Sequence, residues 1–351
     1  MRLVEVANPP NPWSSTEIEY LEAPPTIRLQ VYEDHTKEIL AHNDSPDLGF
    51  SWSVNPYRGC MHGCAYCYAR PSHEYLSFGA GTDFETKIVV KPEAPALLRA
   101  AFDRRSWKGE LVVFSGVTDC YQPLEASLKL TRGCLEVCAE YRNPVAVITK
   151  GPLVERDLDL LQELHRHARV HVSVSVPFWD QDKARAVEPY VATPKRRIQA
   201  IAALAKAGIP VGVNVAPIIP GLSDQDMPKI LAAAAEAGAT RAGMVMVRLP
   251  GSVKQVFEER IRAALPLQAE RILHRVREVR GGKLYDSRWG TRGRGEGQYA
   301  DATCDLFRVT CQKLGLNSRW GQSETSQYGD PDQPTTFRRP AGKDGQLALF
   351  D

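Results

Sequence analysis

From residue 50 onward the chain alternates short Val-rich runs with longer amphipathic stretches. The runs FSWSVNP (50–56), LVVFSG (111–116), VAVITK (145–150), VHVSVSV (170–176), PVGVNVAP (210–217) and RAGMVMVRL (241–249) have the length and β-branched content of strands. Between them, residues 152–168, 193–209 and 223–239 carry apolar positions at helical spacing. In the first stretch Val154, Leu158, Leu161 and His165 form one stripe, with Pro152 near its start. The second closes at Gly208, a C-cap candidate. The third opens on Ser223 as an N-cap and closes at Gly238. About six strand–helix units in succession predict a parallel sheet.

The strand 170–176 chooses between an open and a closed sheet. Val170, Val172, Val174 and Val176 share one face, and His171, Ser173 and Ser175 share the other. A parallel sheet covered by helices on both sides is apolar on both faces. One apolar and one polar face suits a barrel with a ligand inside. Residues 211–216 repeat the pattern, with Val211, Val213 and Val215 against Gly212, Asn214 and Ala216. The expected fold class is therefore α/β, a partial (β/α)6 TIM-like barrel. Three helical stretches, 253–265, 267–280 and 297–316, predict a C-terminal helical extension. The expected organisation is an extended arm (1–46), the barrel (47–250), the extension (251–316) and a disordered polar tail (317–351).

Composition narrows the class. The 351 residues are 43% hydrophobic, enough for a sizeable core, and the net charge of +2 creates no global field for nucleic acid or membrane. No run approaches membrane-spanning length and the first thirty residues hold no apolar h-region, so a cytoplasmic protein with no membrane partner is expected. Eight cysteines are too sparse for a disulfide scaffold. Three of them crowd into NPYRGCMHGCAYCYAR (55–70), as Cys60, Cys64 and Cys67 with the spacing C-x3-C-x2-C. Four thiolates close a structural metal site, whereas three leave a position open for chemistry. From the residues alone, a zinc site completed by His62 or His73 is the alternative. The loop follows the first strand, at the end of a βα barrel where active sites gather. Gly59 and Gly63 permit its turns. Cys134 with Cys138 and Cys304 with Cys311 sit at helix-face spacing and read as core.

C-x3-C-x2-C with an aromatic residue, Tyr66, before the last cysteine resembles the radical S-adenosylmethionine (AdoMet) superfamily. The resemblance implies a [4Fe–4S] cluster on Cys60, Cys64 and Cys67, with AdoMet chelating the fourth iron. It implies reductive cleavage of AdoMet to methionine and a 5′-deoxyadenosyl radical, and an electron donor such as flavodoxin or ferredoxin. It puts AdoMet contacts at strand ends. Ser115, Thr118 and Asp119, in SGVTDCYQPLE (115–125), are candidates for the amino group and Lys150 for the carboxylate. Ser173 and Ser175 are candidates for the ribose, Asn214 with Pro217 for the adenine, and Tyr66 for the adenine side. His62 is left without a role.

Residues 47–315 are similar to the spore photoproduct lyase-like branch of that superfamily. The stretches that carry this are the cysteine loop, SGVTDCYQPLE, ITKGPLVERDLDLL and VAPIIPGLSD. The branch implies action on DNA, in repair or base modification. Radical modification of RNA or another substrate is an alternative, and so is an iron–sulfur redox sensor without AdoMet turnover. Spore photoproduct lyase returns hydrogen from a cysteine near the end of its second strand. Here Cys120 with Tyr121 is the candidate donor pair.

Two further segments bear on partners. Between Arg271 and Arg294 eight Lys or Arg stand against Glu278 and Asp286, a surplus of +6, with Tyr285, Trp289 and glycines interleaved. That composition suits phosphate contact and base stacking on DNA. At 345–351 GQLALFD sets Gln346, Leu347, Leu349 and Phe350 on a polar leash, the form of a docking element. Q-L-x-L-F is similar to the pentapeptide by which bacterial replication and repair proteins bind the DNA sliding clamp.

Overall fold

The computed structural model describes residues 3–6, 29–317 and 334–340. Its strands in chain order are β1 (Leu3–Val6), β2 (Gln30–Asp34), β3 (Leu40–His42), β4 (Trp52–Val54), β5 (Tyr57–Arg58), β6 (Lys87–Val90), β7 (Val112–Phe114), β8 (Val145–Thr149), β9 (Val170–Ser175), β10 (Val211–Ile218) and β11 (Arg241–Met246). A seven-stranded sheet runs β11-β10-β9-β8-β7-β4-β3. From β4 to β11 every pairing is parallel, and β3 joins β4 antiparallel at the edge. Strand order follows chain order without reversal. That is the winding of a partial barrel and lacks the switch point of a doubly wound sheet. The six parallel strands fall where the Val-rich runs predict them.

The segment expected as an extended arm contributes β1, β2 and β3. β1 and β2 belong to a second sheet of order β1-β2-β6-β5. The sequence gives little warning of it, because these strands are two to five residues long and show too few alternations to stand out.

Local chemistry explains the helix boundaries. Thr193 accepts from the Arg196 backbone N–H ahead of the helix Pro194–Lys206, and Pro194 occupies its first turn. Just past its end Gly208 adopts φ 76°, and the Ile209 N–H donates to the Leu204 carbonyl at 3.0 Å. Ser223 stands at the N-cap of the 3-10 turn Asp224–Asp226 that runs into Met227–Glu236, but its hydroxyl makes no capping bond and instead accepts from the Ile219 N–H at 2.9 Å.

Val112, Phe114, Val145, Val147, Val172, Val174, Val213 and Val215 point outward and form one core with helix residues such as Leu98, Cys134, Cys138, Leu161, Leu204 and Leu231. Inward, β7 and β8 give a small apolar group of Val113 and Ala146 with Leu111 and Ile148. β9 and β10 give His171, Ser173, Ser175 and Asn214, all buried. On the other side of this apolar group β4 places Ser53 in the row of Val113, so polar interior positions flank β7 and β8 on both sides. The helices Val253–Ala264 and Ala269–Glu278 form a second core with Cys64, Ala65, Tyr66, Phe178 and Ile219. Residues 334–340, expected within a disordered tail, lie against the barrel instead. Gln346, Leu347, Leu349 and Phe350 lie outside the described residues.

Candidate active site

The cysteine loop is held by its backbone. Gly59 and Gly63 have φ of 79° and 65°, and a Cβ on either would meet His73 or Glu85 at 2.8 Å. The Cys60 N–H donates to the Phe84 carbonyl and the Ala65 N–H to the Val187 carbonyl, both at 2.9 Å. Arg70 is fully buried and donates to the carbonyls of Gly63 (2.9 Å), Cys64 (3.0 Å), Ala80 (2.9 Å) and Gly81 (2.7 Å). It also pairs with Glu85 at 3.0 Å, and Arg260 of the helical extension reaches the other Glu85 oxygen at 2.5 Å. On the opposite side Thr118 Oγ1 and Gln122 Nε2 donate to the Gly59 carbonyl at 2.6 and 3.2 Å, while Gln122 Oε1 accepts from the Met61 N–H at 3.1 Å. Arg70, Glu85 and Gln122 escaped the sequence reading. Their partners are mostly backbone groups, which leave no spacing signature.

The three thiols sit together. Cys60 and Cys64 are buried and Cys67 is half-buried. Burial pushes the Cys64 and Cys67 thiols up. Burial also acts on Cys60, yet the positive charge of His62 and its hydrogen bond bring that thiol down. His62, left without a role by the sequence, links Cys60 to Asp119, with its Nδ1 3.4 Å from Asp119 Oδ2. Burial opposes its charge, but Cys60 and Asp119 hold its pKa up at about 10.

The strand ends bring the rim together. β9 and β10 pair Ser175 with Asn214, and β11 continues that row with Gly243. Ser173 lies one row deeper, between Ile148 and Gly212. Among the described residues, the side chains of Ser173, Ser175 and Asn214 make no protein hydrogen bond although all three are buried. Such groups are poised for a ligand. Lys150 follows β8 with its Nζ 5.7 Å from the Tyr66 ring. Burial opposes its charge, but Cys64, Glu188 and Asp119 raise its pKa. The Tyr66 hydroxyl donates to Glu188, whose other oxygen accepts from Arg197 at 2.6 Å. Arg197 in turn donates to the Ser175 carbonyl at 2.9 Å. Glu188 and Arg197 also went unnoticed in the sequence.

Other candidates stand apart. Ser115 is half-buried near the end of β7. The Thr118 hydroxyl is engaged by the loop. Asp119 accepts from Thr149 Oγ1 (2.6 Å), the Tyr121 N–H (2.9 Å) and the Lys150 N–H (2.6 Å), so its carboxylate braces strand ends. Cys120 and Tyr121 do not reach the barrel interior. Both belong to the core between sheet and helices. Cys120 Sγ points to the Phe114 carbonyl at 3.6 Å, and the Tyr121 hydroxyl donates to Asp157 at 3.0 Å. The two follow a turn that returns the chain to the outer layer.

The sequence model described as the Radical SAM superfamily matches residues 54–234, just over half of the chain. The chain belongs to the radical SAM superfamily. An uncharacterised protein of Mycobacterium tuberculosis is 41% identical over 212 residues, which is 60% of this chain and 62% of that protein. Another, from Methanocaldococcus jannaschii, is 31% identical over 176 residues, 50% of this chain and 63% of that protein. The chain thus spans less than two thirds of the length of these relatives. Spore photoproduct lyase, in a structure with bound AdoMet and dinucleoside spore photoproduct, superposes with a TM-score of 0.54 and 17% identity, covering 82% of this chain and 80% of that one. At that identity the likeness is one of fold.

Membership of the radical SAM superfamily implies a [4Fe–4S] cluster and AdoMet. The residues fit. Among the described residues no three Cys, His, Asp or Glu converge as they would on a single ion. Three thiols spread over one loop suit a cluster that takes one thiolate per iron. A mononuclear zinc site, with all its donors within about 2.3 Å of the metal, suits them less well.

The basic segment is partly neutralised within the molecule: Glu258, Asp47 and Glu296, from outside it, bring its surplus of +6 down to +3. Arg275 pairs with Glu278 at 2.6 Å, Arg277 with Glu258 at 3.1 Å, Arg288 with Asp286 at 2.6 Å and Arg292 with Asp47 at 2.5 Å. Arg280 is buried on the carbonyls of Val247 and Thr291. Lys283 and Arg294 remain exposed. Among the described residues no helix is long and apolar enough to cross a membrane.

Proposed function

We propose that this protein is a radical SAM enzyme that cleaves AdoMet reductively and uses the resulting radical on DNA, in repair or base modification. The observation that carries the chemistry is the three-thiol loop at the C-terminal ends of the barrel strands, beside Lys150 and the unpartnered side chains of Ser175 and Asn214. When bound, the cluster supplies the electron that splits AdoMet into methionine and a 5′-deoxyadenosyl radical. Cys60, Cys64 and Cys67 hold it, and Arg70, Thr118 and Gln122 keep their loop in shape. Lys150 orients the AdoMet carboxylate as a point charge. Ser115 would take the amino group, while Thr118 and Asp119 act by holding the loop and the β8 end. Ser173 and Ser175 meet the ribose, and Tyr66 with Asn214 borders the adenine. The barrel excludes water around the reacting atoms.

Support for DNA is the shared fold with a protein whose structure holds a dinucleoside photoproduct, together with the exposed cations Lys283 and Arg294 and the exposed ring of Trp289 in the same segment. Flavodoxin or ferredoxin is the class of electron donor. The test is anaerobic reconstitution followed by reduction. Iron and sulfide near four per chain, with 5′-deoxyadenosine formed, are expected; Cys64→Ala abolishes both. Iron without 5′-deoxyadenosine makes the protein a redox sensor. Deuterium exchange with nucleosides of damaged or intact DNA identifies the substrate. Cleavage of AdoMet without such exchange moves the reading to RNA or another substrate.

A further inference from the structure

Arg248 stands just beyond the last residue of β11, Met246, at the end of the barrel that carries the cysteine loop. Its neighbours fix its backbone. The Val247 N–H donates to the Ile218 carbonyl at 2.9 Å, and the Val247 carbonyl accepts from Arg280 at 2.7 Å. The side chains of Val247 and Leu249 are buried in the second core with Cys64 and Tyr66. Arg248 itself is half-buried, and its guanidinium lies 5.9 Å from the ring centre of Tyr68. Tyr68 directly follows Cys67 and is 52% exposed. The pair therefore forms part of the rim, between the edge strand of the sheet and the thiol loop.

Among the described residues the Arg248 side chain makes no hydrogen bond and no ion pair, and its Nε is shielded from solvent. Asp47 lies within reach of its charge but is already committed. Asp47 Oδ1 accepts from the Gly290 N–H at 2.9 Å and Oδ2 from Arg292 at 2.5 Å. Arg280 adds a second positive charge nearby and spends its donors on the carbonyls of Thr291 and Val247. A guanidinium held partly out of water without a partner costs stability unless a ligand supplies the acceptor. Its fork of N–H donors matches the paired oxygens of a phosphate or a carboxylate.

Two oxyanions come to this end of the barrel on the proposed function, the AdoMet carboxylate and a phosphate of the substrate. Position favours the second. Lys150 follows β8 in the middle of the sheet, whereas Arg248 follows β11 at its edge. Ser175, Asn214 and Gly243 share one row across β9, β10 and β11, and Arg248 lies past that row toward the outside. A side chain so placed meets what enters the mouth.

We propose that Arg248 is the contact for a phosphate oxyanion of the substrate, with Tyr68 holding the guanidinium in place. The choice of ligand rests on the reading of the substrate as DNA, in which the oxyanion is a phosphodiester. Gripped at the rim, that phosphate sets the adjoining nucleoside over the mouth.

The test titrates the reconstituted full chain, with AdoMet and without reductant, against three probes. These are the thymidine dinucleotide TpT, the same dinucleotide with an uncharged methylphosphonate linkage, and inorganic phosphate. The native chain is expected to bind TpT roughly tenfold more tightly than its methylphosphonate, Arg248→Lys about threefold more tightly, and Arg248→Gln without preference. The AdoMet dissociation constant of Arg248→Gln should stay within about twofold of the native value. Its urea midpoint should not fall, because the substitution removes an unpaired, half-buried charge. Inorganic phosphate bound by the native chain and lost in Arg248→Gln, with neither dinucleotide bound, would keep the oxyanion site and retire DNA as the substrate. Weakened AdoMet binding with an unchanged preference for TpT would make Arg248 a cofactor contact. An equal loss of both dinucleotides with a lowered urea midpoint would make its role structural. Either result, or no binding of any probe by the native chain, overturns the proposal.

Discussion

Tyr66 and Glu188 share a hydrogen bond across 122 residues of sequence. The bond joins the cysteine loop to a carboxylate that also holds Arg197, and through Arg197 the carbonyl of Ser175. The loop that would carry the cluster and the strand that would meet the ribose are thus set by one buried charge. Glu188→Ala leaves Arg197 buried and unpaired, so a loss of about 3–5 kcal/mol is expected. Tyr66→Phe removes one donor and leaves the ion pair, for about 2 kcal/mol. Urea unfolding of the metal-free variants compares the two. Equal losses would mean that the ion pair is not what the fold depends on here.

Arg70→Lys is expected to fail despite keeping the charge. A single ammonium cannot serve four carbonyls and Glu85 at once. Iron content after anaerobic reconstitution should fall at least severalfold, with a drop in unfolding free energy of about 3 kcal/mol. Full iron loading by the lysine variant would show that the loop does not need this clamp.

Cys120→Ser places a hydroxyl in the core between sheet and helices. Stability should fall by about 1–3 kcal/mol, while 5′-deoxyadenosine formation and product release from substrate stay within twofold of the native enzyme. A variant that folds normally but loses hydrogen return would restore Cys120 to the chemistry.

His171 faces the barrel interior, where burial and the nearby Arg241 charge push its pKa down to about 3. Its unfolded value is about 6.5, so between those limits the unfolded chain binds more protons than the folded one. Stability then rises with pH through this window and is lost as pH falls from about 6.5 toward 3. Urea unfolding at pH 7 and pH 5 should show His171→Asn losing less on acidification than the native chain. An unchanged difference would mean that the imidazole is not buried neutral.

The barrel was legible because its evidence is periodic. Val170 to Val176 and Val211 to Val215 repeat every second residue, and strand order then followed chain order. The cysteine trio was legible because its spacing is local. What escaped were the residues that hold the loop: Arg70, Glu85, Gln122, Glu188 and Arg197 act through backbone carbonyls or through partners up to 175 residues away. Nothing in a linear pattern marks such pairings. Cys120 and Tyr121 are candidates only through the resemblance, which implies a hydrogen-donating cysteine near the end of the second strand; the structure sets both in the core between sheet and helices, a placement that nothing in their local sequence marks. In the basic segment, half of the surplus charge is met by Asp47, Glu258 and Glu296 from elsewhere in the chain, pairings that its own sequence does not show.

The second core has a consequence for the order of assembly. Cys64 and Tyr66 rest on Phe257, Ile272 and Leu273, and Arg260 completes the Glu85–Arg70 clamp. During synthesis the first seventy residues leave the ribosome some two hundred residues before that floor exists. The thiol loop therefore takes its final shape only after the helical extension has emerged, and loading of the cluster that the family implies would be a late event, coupled to completion of the chain rather than to the appearance of Cys60, Cys64 and Cys67.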